Sequence, residues 1–123
     1  MAEALGVDIV DVARIDRAYS TYGDRFLRRI LGPDEMTAFS ARHDKIQFLA
    51  GRFAAKEAIV KALGKYLSQR PPLSTLQVLN DHTGQPRLQL PGDIKNKLPN
   101  VRCLVSISHN RSSAIATAIF TEE

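Results

Sequence analysis

Residues 45–63 read KIQFLAGRFAAKEAIVKAL, and this stretch decides the fold. Apolar residues recur in it every three or four positions and Gly64 follows directly, which predicts a single long helix. One face of this helix is an apolar stripe that contains Ile46, Leu49, Phe53 and Val60. Glu57 falls inside the stripe. Because a carboxylate in an apolar setting loses its hydration, Glu57 needs a cation as its partner, either a side chain or a metal ion.

A second acidic residue interrupts an apolar segment near the start of the chain. Residues 6–10 read GVDIV, and Asp8 stands among strand-forming residues although aspartate is depleted in strands. Two such acids, far apart in sequence, suggest that the fold brings Asp8 and Glu57 together on a divalent ion. Simpler interpretations stay open. Glu57 could form an ordinary helical pair with Lys61, four residues later, and Lys56 is also adjacent. Asp8 could end its strand or cap the next helix.

The composition is that of an ordinary globular protein, and we expect residues 1–123 to form a single domain. Hydrophobic residues make up 44% of the chain and charged residues 24%. No stretch approaches the roughly 20 apolar residues of a membrane span, and the first residues lack the basic region of a signal peptide. Cys103, the only cysteine, has apolar neighbours and is expected to be a buried strand thiol rather than a nucleophile. These features predict a cytoplasmic protein with no membrane partner.

The chain is basic, which implies acidic partners. Its formal net charge is +4 and its pI is about 9.5. It has no tryptophan, 7% aromatic residues and no lysine and arginine block interleaved with aromatics, so we do not expect nucleic acid as a partner. Much of the positive charge falls in one short segment, which contains Arg14, Arg17, Arg25, Arg28 and Arg29. This segment is either a solvated basic face or a docking surface for an acidic macromolecule.

Periodicity divides the chain into helices followed by strands. We predict helices over residues 12–23, 24–30, 34–42 and 45–63, with a short one after residues 91–92. We predict strands over residues 5–10, 76–79, 87–90, 102–108 and 114–120. This order predicts an α+β domain with an antiparallel sheet packed against the long helix. That helix also carries a second apolar patch, which consists of Phe48, Ala55, Ile59 and Ala62. Two apolar faces suggest burial by the core on one side and by another subunit on the other.

Three segments together carry a specific chemical signal. They are GVDIV at residues 6–10, RFAAKEAIVKAL at residues 52–63 and VSISH at residues 105–109. In this order and spacing, in a basic chain of this length, they resemble the 4′-phosphopantetheinyl transferases, and in particular the small bacterial members of that family. The resemblance covers nearly the whole chain. The loop of residues 64–72 departs from the family's glycine-rich loop, which leaves the shape of that side of the pocket open.

The resemblance implies a fold, a reaction and a set of site residues. The fold is the small phosphopantetheinyl transferase fold. The reaction moves the phosphopantetheine arm of coenzyme A to a serine of apo acyl carrier protein and releases adenosine 3′,5′-bisphosphate. The family's metal ligands fall on Asp8 and Glu57, which would hold Mg²⁺ and act in catalysis together with Lys61. The residues expected to contact coenzyme A are Arg52, Lys61, Gly64, Pro86, Ser108 and His109.

The resemblance also implies two kinds of protein partner. Acyl carrier proteins are strongly acidic, so we expect the basic segment to be their docking surface. The residues expected to make this contact are Arg14, Arg17, Arg25 and Arg28. Small family members are homotrimers with active sites between subunits, so we expect a trimer here. Two other functions stay open: a non-catalytic module that binds nucleotides or nucleic acid, and a metal-dependent phosphohydrolase.

Overall fold

The computed structural model describes residues 2–122 and has the expected α+β class. Its elements are β1 (Ala2–Asp11), α1 (Val12–Tyr22), α2 (Asp24–Ile30), α3 (Pro33–Ser40), α4 (Lys45–Leu63), a 3₁₀ turn (Leu73–Thr75), β2 (Gln77–Asn80), β3 (Pro86–Gln89), α5 (Gly92–Lys97), β4 (Val101–His109) and β5 (Ser113–Glu122). The long helix α4 begins and ends at the predicted residues. The strands β2 and β3 are each displaced by one residue from their predicted positions. In this part of the chain, no helix combines the length and the apolar character that crossing a bilayer requires.

Two antiparallel sheets form the β part of the fold. The larger sheet has the strand order β1-β5-β4, and the smaller one is the hairpin of β2 and β3. In the larger sheet, Asp8 of β1 pairs with Ala116 of β5, which also pairs with Ile107 of β4. The helix α4 packs against this sheet, and α1, α3 and β2 contact α4 as well. The long helix is therefore enclosed by elements of its own chain.

The burial of α4 corrects two expectations about its faces. The patch assigned to another subunit is buried within the single chain: Phe48, Ala55, Ile59 and Ala62. That assignment is wrong because neighbouring elements already cover the patch, as Phe39 of α3 does where its ring lies 6.5 Å from the ring of Phe48. Conversely, Ile46 and Phe53 in the stripe around Glu57 are only half-buried. Glu57 thus lies at the edge of the core and not within it.

One face of the larger sheet remains apolar and exposed. Side chains alternate between the two faces of a strand, and the cross-strand register groups those of one face. On the face away from α4, Ile119 is half-buried, and five other large apolar side chains are 42% to 66% exposed: Leu5, Val7, Ile9, Leu104 and Ile115. The sheet therefore buries one face against α4 and leaves an apolar surface on the other.

The strand β1 and the helix α4 approach each other closely at Gly6. A Cβ atom on Gly6 would lie 1.8 Å from the carbonyl oxygen of Ala58, and such a separation is not possible between non-bonded atoms. Only glycine allows this approach between strand and helix. Asp8 follows two residues later on the same face of β1, so the contact at Gly6 holds Asp8 beside α4.

A fully buried ion pair joins several elements on another side of α4. The side chains of Lys56 and Glu35 are both 0% exposed, with Nζ and Oε1 2.5 Å apart. Lys56 also donates a hydrogen bond to the Ile30 carbonyl oxygen. The Glu35 carboxylate accepts further hydrogen bonds from the backbone N–H groups of Gly32 and Val78, each at 2.8 Å. Burial lowers the pKa of Lys56, and the charge of Glu35 opposes that shift. This network ties α3, α4 and β2 together.

Candidate active site

Asp8 lies on the face of β1 that packs against α4, and its partner there is Lys61. The Lys61 Nζ lies 3.1 Å from Oδ1 of Asp8 and donates a hydrogen bond to the carbonyl oxygen of Val7 at 2.9 Å. The Asp8 side chain is 19% exposed, whereas the Lys61 side chain is 54% exposed. Asp8 is therefore a largely buried carboxylate whose charge is balanced by a cation that solvent can reach.

Glu57 has a partner that local sequence did not reveal. The Arg70 Nη2 lies 2.6 Å from Oε1 of Glu57, and Arg70 belongs to the loop between α4 and the 3₁₀ turn. The pairing of Glu57 with Lys61, left open by the sequence, is wrong because Lys61 turns toward β1, where it has two acceptors. Arg70 stands 13 residues after Glu57, beyond the reach of any helical spacing rule.

The two acids lie beside one segment of α4. Lys61 contacts Asp8 from a position one helical turn beyond Glu57, so both carboxylates border the same stretch of the helix. Each carboxylate is 19% exposed and pairs with a cation that is more than half exposed. Among the described residues there is no cluster of three or more histidine, cysteine, aspartate or glutamate side chains that could hold a metal. The donor set is therefore two carboxylates, which fits an ion such as Mg²⁺ that keeps waters and substrate oxygens as its other ligands.

Arg52 is more enclosed than a free phosphate ligand would be. Its side chain donates from Nε to the Val78 carbonyl oxygen and from Nη2 to Asn80 Oδ1, both at 2.9 Å. Its guanidinium carbon also lies 4.5 Å from the centre of the Phe48 ring, and burial lowers the pKa of Arg52. These contacts fix the hairpin of β2 and β3 against α4. Contact between Arg52 and coenzyme A stays a prediction.

His109 ends β4 and is exposed. The register places it opposite Ala114, on the same sheet face as Asp8.

The remaining predicted contacts of coenzyme A do not converge on one point. Gly64 is exposed at the end of α4, and Pro86 is half-buried at the start of β3. Ser108 pairs with Ile115 and so lies on the outer face of the sheet, opposite to the face that holds Asp8. The structure thus brings Asp8 and Lys61 into contact, with Glu57 one helical turn before Lys61, whereas Ser108 is separated from Asp8 by the sheet within one chain.

Two open cavities meet at the loop that carries Arg70. One, of about 600 Å³, is lined by residues of α2 and α4 that include Arg28, Phe53 and Glu57. The other, of about 330 Å³, lies beside the end of α4 and is lined by Lys61 and Gly64. Arg70 lines both cavities. The Glu57–Arg70 pair therefore stands between a space next to α2 and a space next to Lys61.

The basic segment occupies α1 and α2 and is fully solvated. Its four predicted partner-binding arginines are exposed: Arg14, Arg17, Arg25 and Arg28. None of the four has an ion pair with another residue of the described range 2–122. Because unpaired surface arginines are free to meet an incoming charge, this face suits an acidic partner.

Cys103 lies on β4, as expected for a strand thiol, but it is half-buried rather than fully buried. Burial raises the pKa of its thiol to about 12. Because the thiolate is the reactive form of cysteine, this shift disfavours a nucleophilic role at neutral pH.

Comparison with known proteins identifies the family to which this chain belongs. The family model of the 4′-phosphopantetheinyl transferase superfamily matches residues 4–118, so the chain belongs to that superfamily. Within it, the chain is 44% identical over 115 residues to the holo-[acyl-carrier-protein] synthase of Pelodictyon phaeoclathratiforme, covering 94% of this chain and 95% of that protein. It is also 39% identical over 118 residues to the Escherichia coli protein of the same name, with 94% of each chain covered.

Solved structures confirm the fold class. The holo-[acyl-carrier-protein] synthase of Neisseria meningitidis superposes with a TM-score of 0.89 at 28% identity, covering 99% of this chain and 100% of that one. The corresponding protein of Bacillus anthracis, solved in complex with CoA (3′,5′-ADP), gives a TM-score of 0.83 at 30% identity, covering 100% of this chain and 99% of that one. The prediction of an α+β fold with an antiparallel sheet against a long helix is confirmed.

Proposed function

We propose that this chain transfers the 4′-phosphopantetheine group of coenzyme A to a serine of apo acyl carrier protein, giving holo-acyl carrier protein and adenosine 3′,5′-bisphosphate. Family membership and the similarity to holo-[acyl-carrier-protein] synthases support this proposal. The single observation that carries it is the gathering of Asp8, Glu57 and Lys61 at one place beside α4. Residues 1–123 act as one transferase domain, and the reaction takes place in the cytoplasm.

Asp8 and Glu57 are the residues that would hold Mg²⁺. Their oxygen donors fit this hard cation, and their present partners, Lys61 and Arg70, are cations that solvent can reach. When bound, the ion supplies charge neutralisation and polarisation of the diphosphate of coenzyme A.

Lys61 is suited to bind a phosphate oxygen. Its Nζ is positioned by Val7 and Asp8 while the side chain remains 54% exposed, so one donor direction is open for a substrate. A lysine in this place would neutralise charge on the diphosphate while the serine oxygen attacks phosphorus and the bisphosphate departs.

We place the diphosphate of coenzyme A at Lys61 and Gly64, and its nucleotide end at Arg52, Pro86 and His109. Arg52 and Lys61 are nine residues apart, which is about 14 Å along a helix and half a turn around it, so they project from opposite sides of α4. A ligand that contacts both would therefore be shared between subunits of the trimer proposed below.

The carrier protein would dock on the solvated arginines of α1 and α2. Arg28 lines the same cavity as Glu57, so a partner held by the basic segment could present its serine near the carboxylates. Electrostatic attraction of this kind acts mainly on the association rate and on specificity.

We also propose a homotrimer with active sites between subunits. The exposed apolar face of the larger sheet supports an interface there, since monomers rarely leave a contiguous apolar patch of this kind uncovered. An intersubunit site would also give Ser108, on that outer face, a role at the active site of a neighbouring subunit. Sedimentation at micromolar concentration tests this proposal, and an active species of 13.6 kDa alone would contradict it.

Intact-mass measurement tests the proposed reaction directly. Apo acyl carrier protein incubated with coenzyme A, Mg²⁺ and this protein should gain one phosphopantetheine group, and chelator should prevent the gain. No gain, together with nucleotide binding that a chelator leaves unchanged, would favour a non-catalytic binding module. Release of phosphate from coenzyme A without modification of the carrier protein would favour a phosphohydrolase.

A further inference from the structure

The partners of the two carboxylates differ in how firmly they are held. The Lys61 Nζ has two acceptors, Asp8 and the Val7 carbonyl oxygen, and the latter belongs to the rigid strand β1. Arg70 lies in a loop and, among residues 2–122, its one polar partner is Glu57. Its side chain is 57% exposed. Arg70 can therefore leave Glu57 without disturbing any other contact of this kind.

Arg70 and a divalent cation compete for Glu57. The guanidinium Nη2 lies 2.6 Å from Oε1 of Glu57, so an ion bound to that oxygen would have to take its place. An ion bound through Oε2 would still lie close to the guanidinium, and the two cations would repel each other more strongly at a largely buried carboxylate because surrounding water is reduced. In both cases the ion binds Glu57 more tightly once the guanidinium has moved away.

We propose that Arg70 is a displaceable counter-ion of Glu57, which keeps the carboxylate neutralised until a divalent cation expels it and which thereby lowers the affinity of the site for that cation. This inference rests on the proposed metal site at Asp8 and Glu57. It adds a residue that sets metal affinity and that lies outside the donor set itself.

Displacement of the Arg70 side chain would also open the space in front of the Glu57 carboxylate. Arg70 lines both the cavity beside α2 and the cavity beside Lys61, so its departure removes a side chain that stands between the two spaces. Pro71 and Pro72 follow Arg70 directly and restrict the backbone of the loop. The movement is therefore that of the exposed arginine side chain, which needs no rearrangement of α4.

Binding of Mn²⁺, measured by the electron paramagnetic resonance signal of the free ion, tests the inference without any substrate. The variants are Arg70→Gln, Arg70→Lys and, as a matched control, Lys95→Gln, which removes the same charge from an exposed site on α5. An exposed pair contributes little, so Arg70→Gln should bind Mn²⁺ about twofold to fivefold more tightly than wild type. Arg70→Lys should stay close to wild type because it keeps the competing charge, and Lys95→Gln should match wild type.

Salt gives a second readout. The ratio of the Mn²⁺ affinity of Arg70→Gln to that of wild type should fall toward one as NaCl is raised from about 0.05 M to about 0.5 M, since salt screens an exposed charge. An unchanged or weaker Mn²⁺ affinity in Arg70→Gln, or an equal gain in Lys95→Gln, would overturn the counter-ion role.

Glu57→Gln separates failure of this inference from failure of the metal site. If Glu57→Gln abolishes Mn²⁺ binding while Arg70→Gln leaves it unchanged, the metal site stands and the counter-ion role is wrong. If Mn²⁺ binds the wild type and Glu57→Gln equally well, or binds neither, both the site and the counter-ion role are wrong.

Discussion

Lys56 and Glu57 are neighbours on α4, yet they carry their charges into two very different regions. Lys56 and its partner Glu35 are both 0% exposed, and backbone groups of three further residues complete their network. Glu57 is 19% exposed, and its partner Arg70 is 57% exposed with one contact. The same chemistry, a carboxylate beside a cation, therefore occurs once as a closed network and once as an open pair.

The difference separates charges that hold the fold together from charges that are available to the proposed site. In the closed network, neither water nor an ion can replace a lost partner. Removing one member would therefore leave the charge of the other buried without compensation. In the open pair, and likewise in that of Asp8 with Lys61, solvent reaches the cation and an incoming ion can take its place. Exchangeable partners are what a binding site requires.

Breaking the closed network gives the largest expected effect. Lys56→Met leaves Glu35 charged and buried without its cation, which should lower the free energy of unfolding by about 3–5 kcal/mol. Lys61→Met removes a lysine from an open pair and should lower it by about 1 kcal/mol or less. Urea unfolding of the two variants measures both values. Equal losses would show that the two regions do not differ as their burial indicates.

Substituting the acids of the open pairs should affect catalysis strongly and stability little. Asp8→Asn and Glu57→Gln should each slow transfer to the carrier protein by more than tenfold at saturating Mg²⁺, a loss above about 1.4 kcal/mol in the barrier, with unfolding nearly unchanged. The matched control is Glu3→Gln, which breaks the exposed pair with Lys65 at 2.9 Å. If either acid variant keeps more than about a tenth of the wild-type rate, that residue is not a principal metal ligand.

The exposed arginines of α1 and α2 extend the comparison between closed and open pairs, because these charges form no ion pair among the described residues. Arg14→Glu or Arg25→Glu should raise the KM for carrier protein by about threefold or more while leaving the KM for coenzyme A nearly unchanged. Added NaCl should raise the wild-type KM for carrier protein in the same way. Lys95→Glu, a charge reversal on α5, serves as the control. A change that weakens coenzyme A alone, or neither substrate, would remove the basic segment from the docking surface.

The smallest effect is expected at Asp81, a partly buried acid that has many hydrogen-bond partners in the turn between β2 and β3. Hydrogen bonds from Thr83 and Arg87 are the main causes that hold the pKa of Asp81 well below its ordinary range. A lowered folded-state pKa stabilises the protein above the unfolded value, near 3.9, and this contribution is lost as the pH falls below it. The difference in Tm between wild type and Asp81→Asn should therefore be larger at pH 6 than at pH 3. A difference that does not change with pH would show that Asp81 acts by geometry alone.

Local sequence was sufficient for the elements and for the two unusual acids. The bounds of α4 follow from its apolar periodicity and from Gly64, and the faces of β1 follow from simple alternation. Asp8 and Glu57 were identifiable because each residue type conflicts with its surroundings. In the structure Asp8 pairs with Lys61, one helical turn beyond Glu57, and the shared ion at the two acids stays a prediction.

The partners of these charges were not predictable, because tertiary structure alone selects them. Glu35 lies 21 residues from Lys56 in the sequence. Without knowledge of this partner, a lysine on a helix is predicted to lie at the surface. Arg70 belongs to a loop without periodicity. The burial of the second apolar patch of α4 within its own chain was missed for a related reason, since periodicity reports how apolar a face is and not which element covers it.

The close approach at Gly6 limits how this protein can change over generations. Any side chain at that position would have to occupy the space of the Ala58 carbonyl oxygen, so strand and helix would separate. No series of single substitutions can lead through a larger residue there without moving Asp8 away from Glu57. The placement of the two carboxylates therefore depends on a glycine at position 6. If position 6 is randomised in a library, the active variants should all carry glycine there.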